Sequence, residues 1–110
     1  MSPHQLEEPA ETEVSCQPGL ESDVYELWTA NSVYVLDEYL RCIEVKTLGR
    51  VAGPETPEIL GAALAGSRAG GRFRSSLPPP GSRAVFATPD EGVAVTSNVL
   101  RLVKNTPLRE

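Results

Sequence analysis

The sequence has few of the side chains that carry covalent or metal chemistry. Its 110 residues include one histidine, His4, and two cysteines, Cys16 and Cys42. A nucleophile needs a base held beside it, and His4 lies in a polar segment that cannot hold it in place. Two cysteines far apart in the sequence are typical of neither a zinc site nor a redox pair, so we expect free thiols, with Cys42 buried and Cys16 exposed. We therefore predict no enzyme activity, no catalytic residue, no metal site and no cofactor.

Long apolar runs are also missing. No stretch approaches the roughly 20 apolar residues that a membrane helix requires. Residues 1–20 have neither the basic start nor the apolar centre of a secretory signal. These absences predict a cytoplasmic protein that does not associate with membranes.

Positive charge is absent from the first 40 residues, which carry nine acidic residues and no lysine or arginine. The remaining 70 residues carry six acidic and ten basic residues. Residues 1–21 combine acidic residues and prolines with few large apolar groups, a composition that favours disorder. We therefore predict a disordered acidic tail over 1–21, a single compact β-rich domain over 22–105 and a frayed C-terminus over 106–110.

The segment 24–46 is rich in β-branched and aromatic residues, which favours strands. We predict a meander with strands at 24–29, 32–36 and 39–46, joined by turns at Ala30-Asn31 and Asp37-Glu38. A helix over 32–47 is the alternative, because apolar residues recur there at helical spacing. Those residues are Val33, Leu36, Leu40, Ile43 and Thr47.

A short helix is predicted near 57–65. Thr56 can cap its start, Pro57 suits the first helical position, and Glu58 complements the helix dipole. A short apolar face follows and Gly66 can end the helix. That face consists of Ile59, Leu60, Ala63 and Leu64.

The C-terminal part contains the most regular hairpin pattern, with strands at 83–88 and 93–103. The linker 89–92 (PDEG) matches a type I turn followed by a glycine with positive φ, and Ser97-Asn98 suggests a bulge. With a further strand near 72–77, the fold class is mainly β (α+β). We predict a small antiparallel sheet, roll or partly open barrel of five to six strands, with the one helix near 57–65.

The first functional hypothesis is a protein-interaction module, either an adaptor or an inhibitor. Its acidic front would attract a basic partner surface, and an exposed strand edge offers a route to strand addition or to homo-oligomers. Trp28 is the sole tryptophan and tryptophan is enriched at binding hot spots, although it is more often a core residue and a chain with few aromatics is expected to need it there. The predicted partner-binding residues are Glu26, Trp28, Asp37 and Glu38, the last two on a turn that should tolerate substitution.

The alternative is binding of nucleic acid or phosphate by the Gly/Arg-rich segment 67–83. Guanidinium groups bind phosphates bidentately, glycines permit close backbone approach, and an aromatic ring such as Phe73 can stack on a base. The negative net charge of −5 makes nucleic acid the less favoured partner. The candidate residues are Arg68, Arg72, Arg74 and Arg83.

Overall fold

The structure, a computed structural model, describes residues 12–48 and 59–108. These residues form a mainly β fold, as the sequence predicts, but with eight strands instead of five or six. The strands are β1 (Glu13–Gln17), β2 (Val24–Thr29), β3 (Ser32–Leu36), β4 (Cys42–Thr47), β5 (Ala63–Ala69), β6 (Arg72–Arg74), β7 (Arg83–Ala87) and β8 (Val93–Pro107).

All eight strands belong to one sheet. Seven of them follow the order β4-β3-β2-β8-β7-β5-β6, and β1 pairs with β8 outside this order. The long strand β8 connects the two halves, because its first part pairs with β7 and its second part pairs with β2. These pairings are antiparallel, whereas β1 runs parallel to β8 along the edge that β7 leaves free. A bulge at the predicted Ser97-Asn98 position shifts the β7–β8 register, since Arg83 lies opposite Asn98 and Val85 opposite Val95.

The sheet closes on itself where β4 and β5 begin. The Cys42 amide donates to the carbonyl of Ala62 at 2.8 Å, and the Leu64 amide donates to the carbonyl of Leu40 at 2.8 Å. This curvature gives the sheet an inner face, which holds the hydrophobic core, and an outer face. The core side chains come from both halves of the sheet and include Leu27, Tyr34, Leu36, Leu64, Phe86, Val99 and Leu102.

The meander over 24–46 is confirmed as strands β2, β3 and β4, and the helical alternative for 32–47 is wrong. The inner residues Tyr34 and Leu36 alternate with Val33 and Val35, which are buried on the outer face. A strand that is buried on both faces reads as a continuous apolar run, and this run also fits a helical stripe. Cross-strand pairing on both sides of β3 decides in favour of the strand.

The helix predicted near 57–65 is wrong over the described residues 59–65, while residues 57 and 58 lie outside them. The Ala62 amide donates to the carbonyl of Ile59 in a tight turn, Gly61 takes a φ of 84°, and β5 begins at Ala63. Ile59, Ala62 and Leu64 pack in the core from this turn and strand, whereas Leu60 is exposed. Pairing with β7 satisfies the β5 backbone, and such tertiary pairing outweighs a weak local helix propensity.

Strand β1 lies inside the segment 1–21 for which the sequence predicts disorder. Its side chains are mostly exposed, so no apolar alternation marks it as a strand. Its order comes from pairing with β8, from Glu13 opposite Val103 to Gln17 opposite Pro107. Residues 1–11 lie outside the described residues.

The hairpin of β7 and β8 is confirmed, but its turn differs in one detail. Glu91, not Gly92, takes the positive φ, at 67°. Gly92 is needed for space instead, because a Cβ there would lie 2.9 Å from the Thr88 hydroxyl. Strand β8 continues to Pro107, into the segment 106–110 that was expected to fray, and residues 109 and 110 lie outside the described residues.

The described residues contain neither a membrane-spanning helix nor a cluster of metal ligands. Neither 12–48 nor 59–108 contains a helix with the length and apolarity to cross a membrane. The same residues contain no group of three or more histidine, cysteine or acidic side chains placed to hold a metal ion.

Candidate functional site

Strand register arranges the outer face of the β1–β4 half into two parallel rows of side chains. Residues that face each other across strands lie on the same face of a sheet. The first row alternates acidic and apolar side chains, in the order Glu44, Val35, Glu26, Val103 and Glu13. The second row, two residues further along each strand, contains Lys46, Val33, Trp28 and Arg101.

The first row borders a groove of about 640 Å³, here called the outer-face groove. Val35 and Val103 belong to its apolar lining and are buried although they lie on the outer face. The other apolar residues of the lining are Val14, Pro18, Leu20 and Val24. The charged side chains that line it are Glu13, Glu26, Glu44, Lys46 and Arg101. Neighbouring strands lie roughly 4.8 Å apart, so the three glutamates recur about every 10 Å with a valine between each pair.

Trp28 and Arg101 form one end of the second row. The Arg101 guanidinium carbon lies 5.0 Å from the centroid of the Trp28 ring, and the Arg101 Nε lies 3.2 Å from Glu13 Oε2. The Trp28 indole N–H donates to Glu26 Oε1 at 3.2 Å. The tryptophan therefore lies beside the groove and outside the hydrophobic core, and its contacts hold Glu26 and Arg101 in place.

Glu26 and Glu44 differ from Glu13 in having no cation. Neither forms an ion pair within residues 12–48 and 59–108, whereas Glu13 is neutralised by Arg101. Glu44 is exposed and Glu26 is half-buried at the groove. The Glu13–Arg101 pair shows how a guanidinium group can bind a glutamate of this row.

The structure separates Asp37 and Glu38 from Glu26 and Trp28. Asp37 has a structural role in the β3–β4 turn, because its Oδ1 accepts hydrogen bonds from the amides of Tyr39 and Arg41, both at 2.9 Å. The expectation that this turn tolerates substitution is therefore wrong for Asp37. Glu38 is exposed on the same turn and does not line the groove.

The four candidate arginines divide between two faces of the β5–β6–β7 region. Arg68 pairs with Phe73 on one side and with Arg83 on the other, so these three side chains share a face. Arg72 and Arg74 flank Phe73 on β6 and point to the opposite face, because successive strand residues alternate. All four arginines are exposed.

The two cysteines are free thiols, as predicted, with Cys42 buried and Cys16 exposed. Burial raises the pKa of the Cys42 thiol to about 11. Its S–H donates to the Glu44 carbonyl at 3.5 Å. A thiol with this pKa is protonated at neutral pH and is a poor nucleophile.

Sequence reasoning found Glu26, Trp28 and the four arginines of segment 67–83. It missed Glu13, Glu44 and Arg101. These three residues are far apart in sequence and meet only through the pairing of β4, β3, β2, β8 and β1. The one available signal was the alternation of charged and apolar residues within 42–47, because 99–105 lacks clean alternation. Comparison with known proteins found no matching protein-family model, no matching curated protein and no matching solved structure.

Proposed function

We propose that this chain is a non-enzymatic protein-interaction module that binds a cationic segment of a partner protein in the outer-face groove. The observation that carries the proposal is the row in which Glu44, Glu26 and Glu13 alternate with Val35 and Val103. This row supports the sequence-based hypothesis of an acidic surface that binds a basic partner. Free thiols suit a reducing compartment, and we keep the cytoplasm as the expected location.

The alternation fits the shape of a lysine or arginine side chain. Such a side chain lays its methylene stem on apolar surface and keeps its charged head at a polar edge. A partner segment that crosses the strands would place its stems on the valines and its charged heads beside Glu26 and Glu44. Because Arg101 already neutralises Glu13, these two glutamates supply the free negative charge of the row.

The test uses labelled peptides of about eight residues in which lysine alternates with valine, and measures binding by fluorescence anisotropy. We expect the double variant Glu26→Gln/Glu44→Gln to bind about twofold to thirtyfold more weakly, since an exposed ion pair contributes roughly 0.2–1 kcal/mol. The matched control is Glu38→Gln/Glu91→Gln, which removes the same charge from two exposed turns outside the groove.

Equal weakening in both double variants would mean that the peptide responds to net charge alone, and would overturn the proposal. Absence of peptide binding to the unmodified chain at low salt would do the same. A peptide in which glutamate replaces lysine should not bind.

A further inference from the structure

A row of exposed side chains crosses the other half of the sheet. Phe73 on β6 lies opposite Arg68 on β5, Arg68 lies opposite Arg83 on β7, and Arg83 lies opposite Asn98 on β8. All four residues are exposed, and Phe73 retains 48% of its accessible surface. The row spans three strand spacings, about 14 Å in total. We call it the Phe–Arg row.

The stretch of sequence that supplies Phe73, Arg68 and Arg83 carries no negative charge. Residues 59–89 include four arginines and no acidic residue. Within the described parts of the chain, none of Arg68, Arg72, Arg74 and Arg83 forms an ion pair. Two guanidinium groups on adjacent strands, with no ion-pair partner among the described residues, make a site that attracts phosphate groups, which arginine binds bidentately.

The Phe73 ring packs against the sheet and is also partly exposed to solvent. A Cβ at Gly66 would lie 2.9 Å from the Phe73 ring and 2.1 Å from the Arg74 carbonyl oxygen, so the ring lies directly on the glycine backbone. The end of the ring, at Cζ and Cε1, thus packs against Gly66 while the side chain stays about half exposed. A fixed and exposed aromatic ring next to arginines is the arrangement on which unpaired bases stack.

We propose that the Phe–Arg row binds single-stranded nucleic acid, with Arg68 and Arg83 on successive phosphates, Phe73 stacked on a base and Asn98 within reach of a base edge. The proposal is independent of the outer-face groove. A single strand is the favoured occupant because the bases of a duplex are stacked on one another and cannot reach Phe73. Arg72 and Arg74 are not part of the site, because they lie on the opposite face of the sheet.

The test measures anisotropy of a labelled oligothymidine of about twelve nucleotides, a length within the range bound by small β folds. We expect Arg68→Gln/Arg83→Gln to weaken binding at least tenfold and to lower the slope of log affinity against log salt by about 1.4, or about 0.7 for each lost single-strand phosphate contact. The matched control Arg72→Gln/Arg74→Gln removes the same charge from the other face and should weaken binding less than threefold.

Phe73→Leu separates stacking from charge, because leucine still covers Gly66 but offers no ring. Loss of one stacked base should weaken binding about fivefold to hundredfold with an unchanged salt slope. Unfolding curves of every variant identify any change that arises from a lost fold, and Phe73→Tyr, which keeps a ring, should retain binding.

Several outcomes would overturn the proposal. Equal losses in the two arginine double variants would show that only net charge matters. Equal affinity for a DNA duplex, or for a polyglutamate peptide of similar length, would assign the surface to polyanions in general or to an acidic protein. Failure of the unmodified chain to bind at low salt, or a dimer that Arg68→Gln/Arg83→Gln dissociates, would remove single-stranded nucleic acid as the occupant.

Discussion

At the scale of single residues, the structure distinguishes side chains that build the fold from those free to bind. Asp37 and Glu38 are adjacent acids on one turn, yet only Asp37 accepts backbone hydrogen bonds, from the amides of Tyr39 and Arg41. Glu26 and Glu44 share a row with Glu13 but, among residues 12–48 and 59–108, form no ion pair like its own. A residue type and its position in the sequence do not distinguish these roles, because each depends on neighbours brought in by another strand.

Cys42 gives a prediction at this scale. Burial raises the pKa of its thiol from 9.0 to about 11, so the fold favours the protonated form. Its stabilising contribution is complete below pH 9 and is lost as the pH rises from about 9 through about 11. The difference in free energy of unfolding between the unmodified chain and Cys42→Ala should therefore shrink over that interval. Chemical denaturation at several pH values measures it, and a constant difference would contradict the prediction.

At the scale of elements, β8 is the strand that connects the two halves of the sheet. It pairs with β7 along its first part and with β2 and β1 along its second part. The bulge near Ser97 and the register shift opposite Thr29 let it bend between the two halves. Both proposed binding surfaces contain β8 residues, Val103 and Arg101 in the groove and Asn98 in the Phe–Arg row.

Strand β1 gives a prediction at this scale. Deleting residues 1–18 removes the strand, the Glu13–Arg101 ion pair and one side of the groove, and leaves the edge of β8 unpaired. We expect a melting temperature several degrees below that of a chain lacking only residues 1–11, because the lost backbone pairing is not replaced. The same deletion should weaken binding of the lysine–valine peptide. Equal melting temperatures in calorimetry would show that β1 contributes no stability.

At the scale of the whole molecule, the fold separates charge. Residues 12–48 carry seven acidic and two basic residues, whereas residues 59–89 carry four arginines and no acid. The first of these segments therefore carries a charge of −5 and the second a charge of +4, so the sheet has an acidic part and a basic part. Surfaces of opposite sign on one small protein suit partners of opposite sign, and local potential steers each of them.

This separation predicts how the two surfaces affect one another. The Debye length is about 30 Å at 0.01 M salt and about 8 Å at 0.15 M, against a molecule whose longest extent is 41 Å. Glu26→Gln/Glu44→Gln should therefore raise the affinity for oligothymidine at 0.01 M salt and change it by less than about twofold at 0.15 M. An anisotropy titration at both salts measures this. A large change at the higher salt would mean that the groove and the Phe–Arg row form one site.

The sequence alone determined the β class, the meander over 24–46, the hairpin of β7 and β8 and the uneven distribution of charge. These features depend on local alternation, turn residues and composition, which act between residues close in the chain. Only the tertiary structure decided that 59–65 forms a turn and a strand, that β1 pairs with β8, and that Arg68 faces Arg83 while Arg72 and Arg74 face away. Those outcomes depend on strand register, because a shift of one residue moves a side chain to the other face of the sheet, and register is set by packing between distant segments.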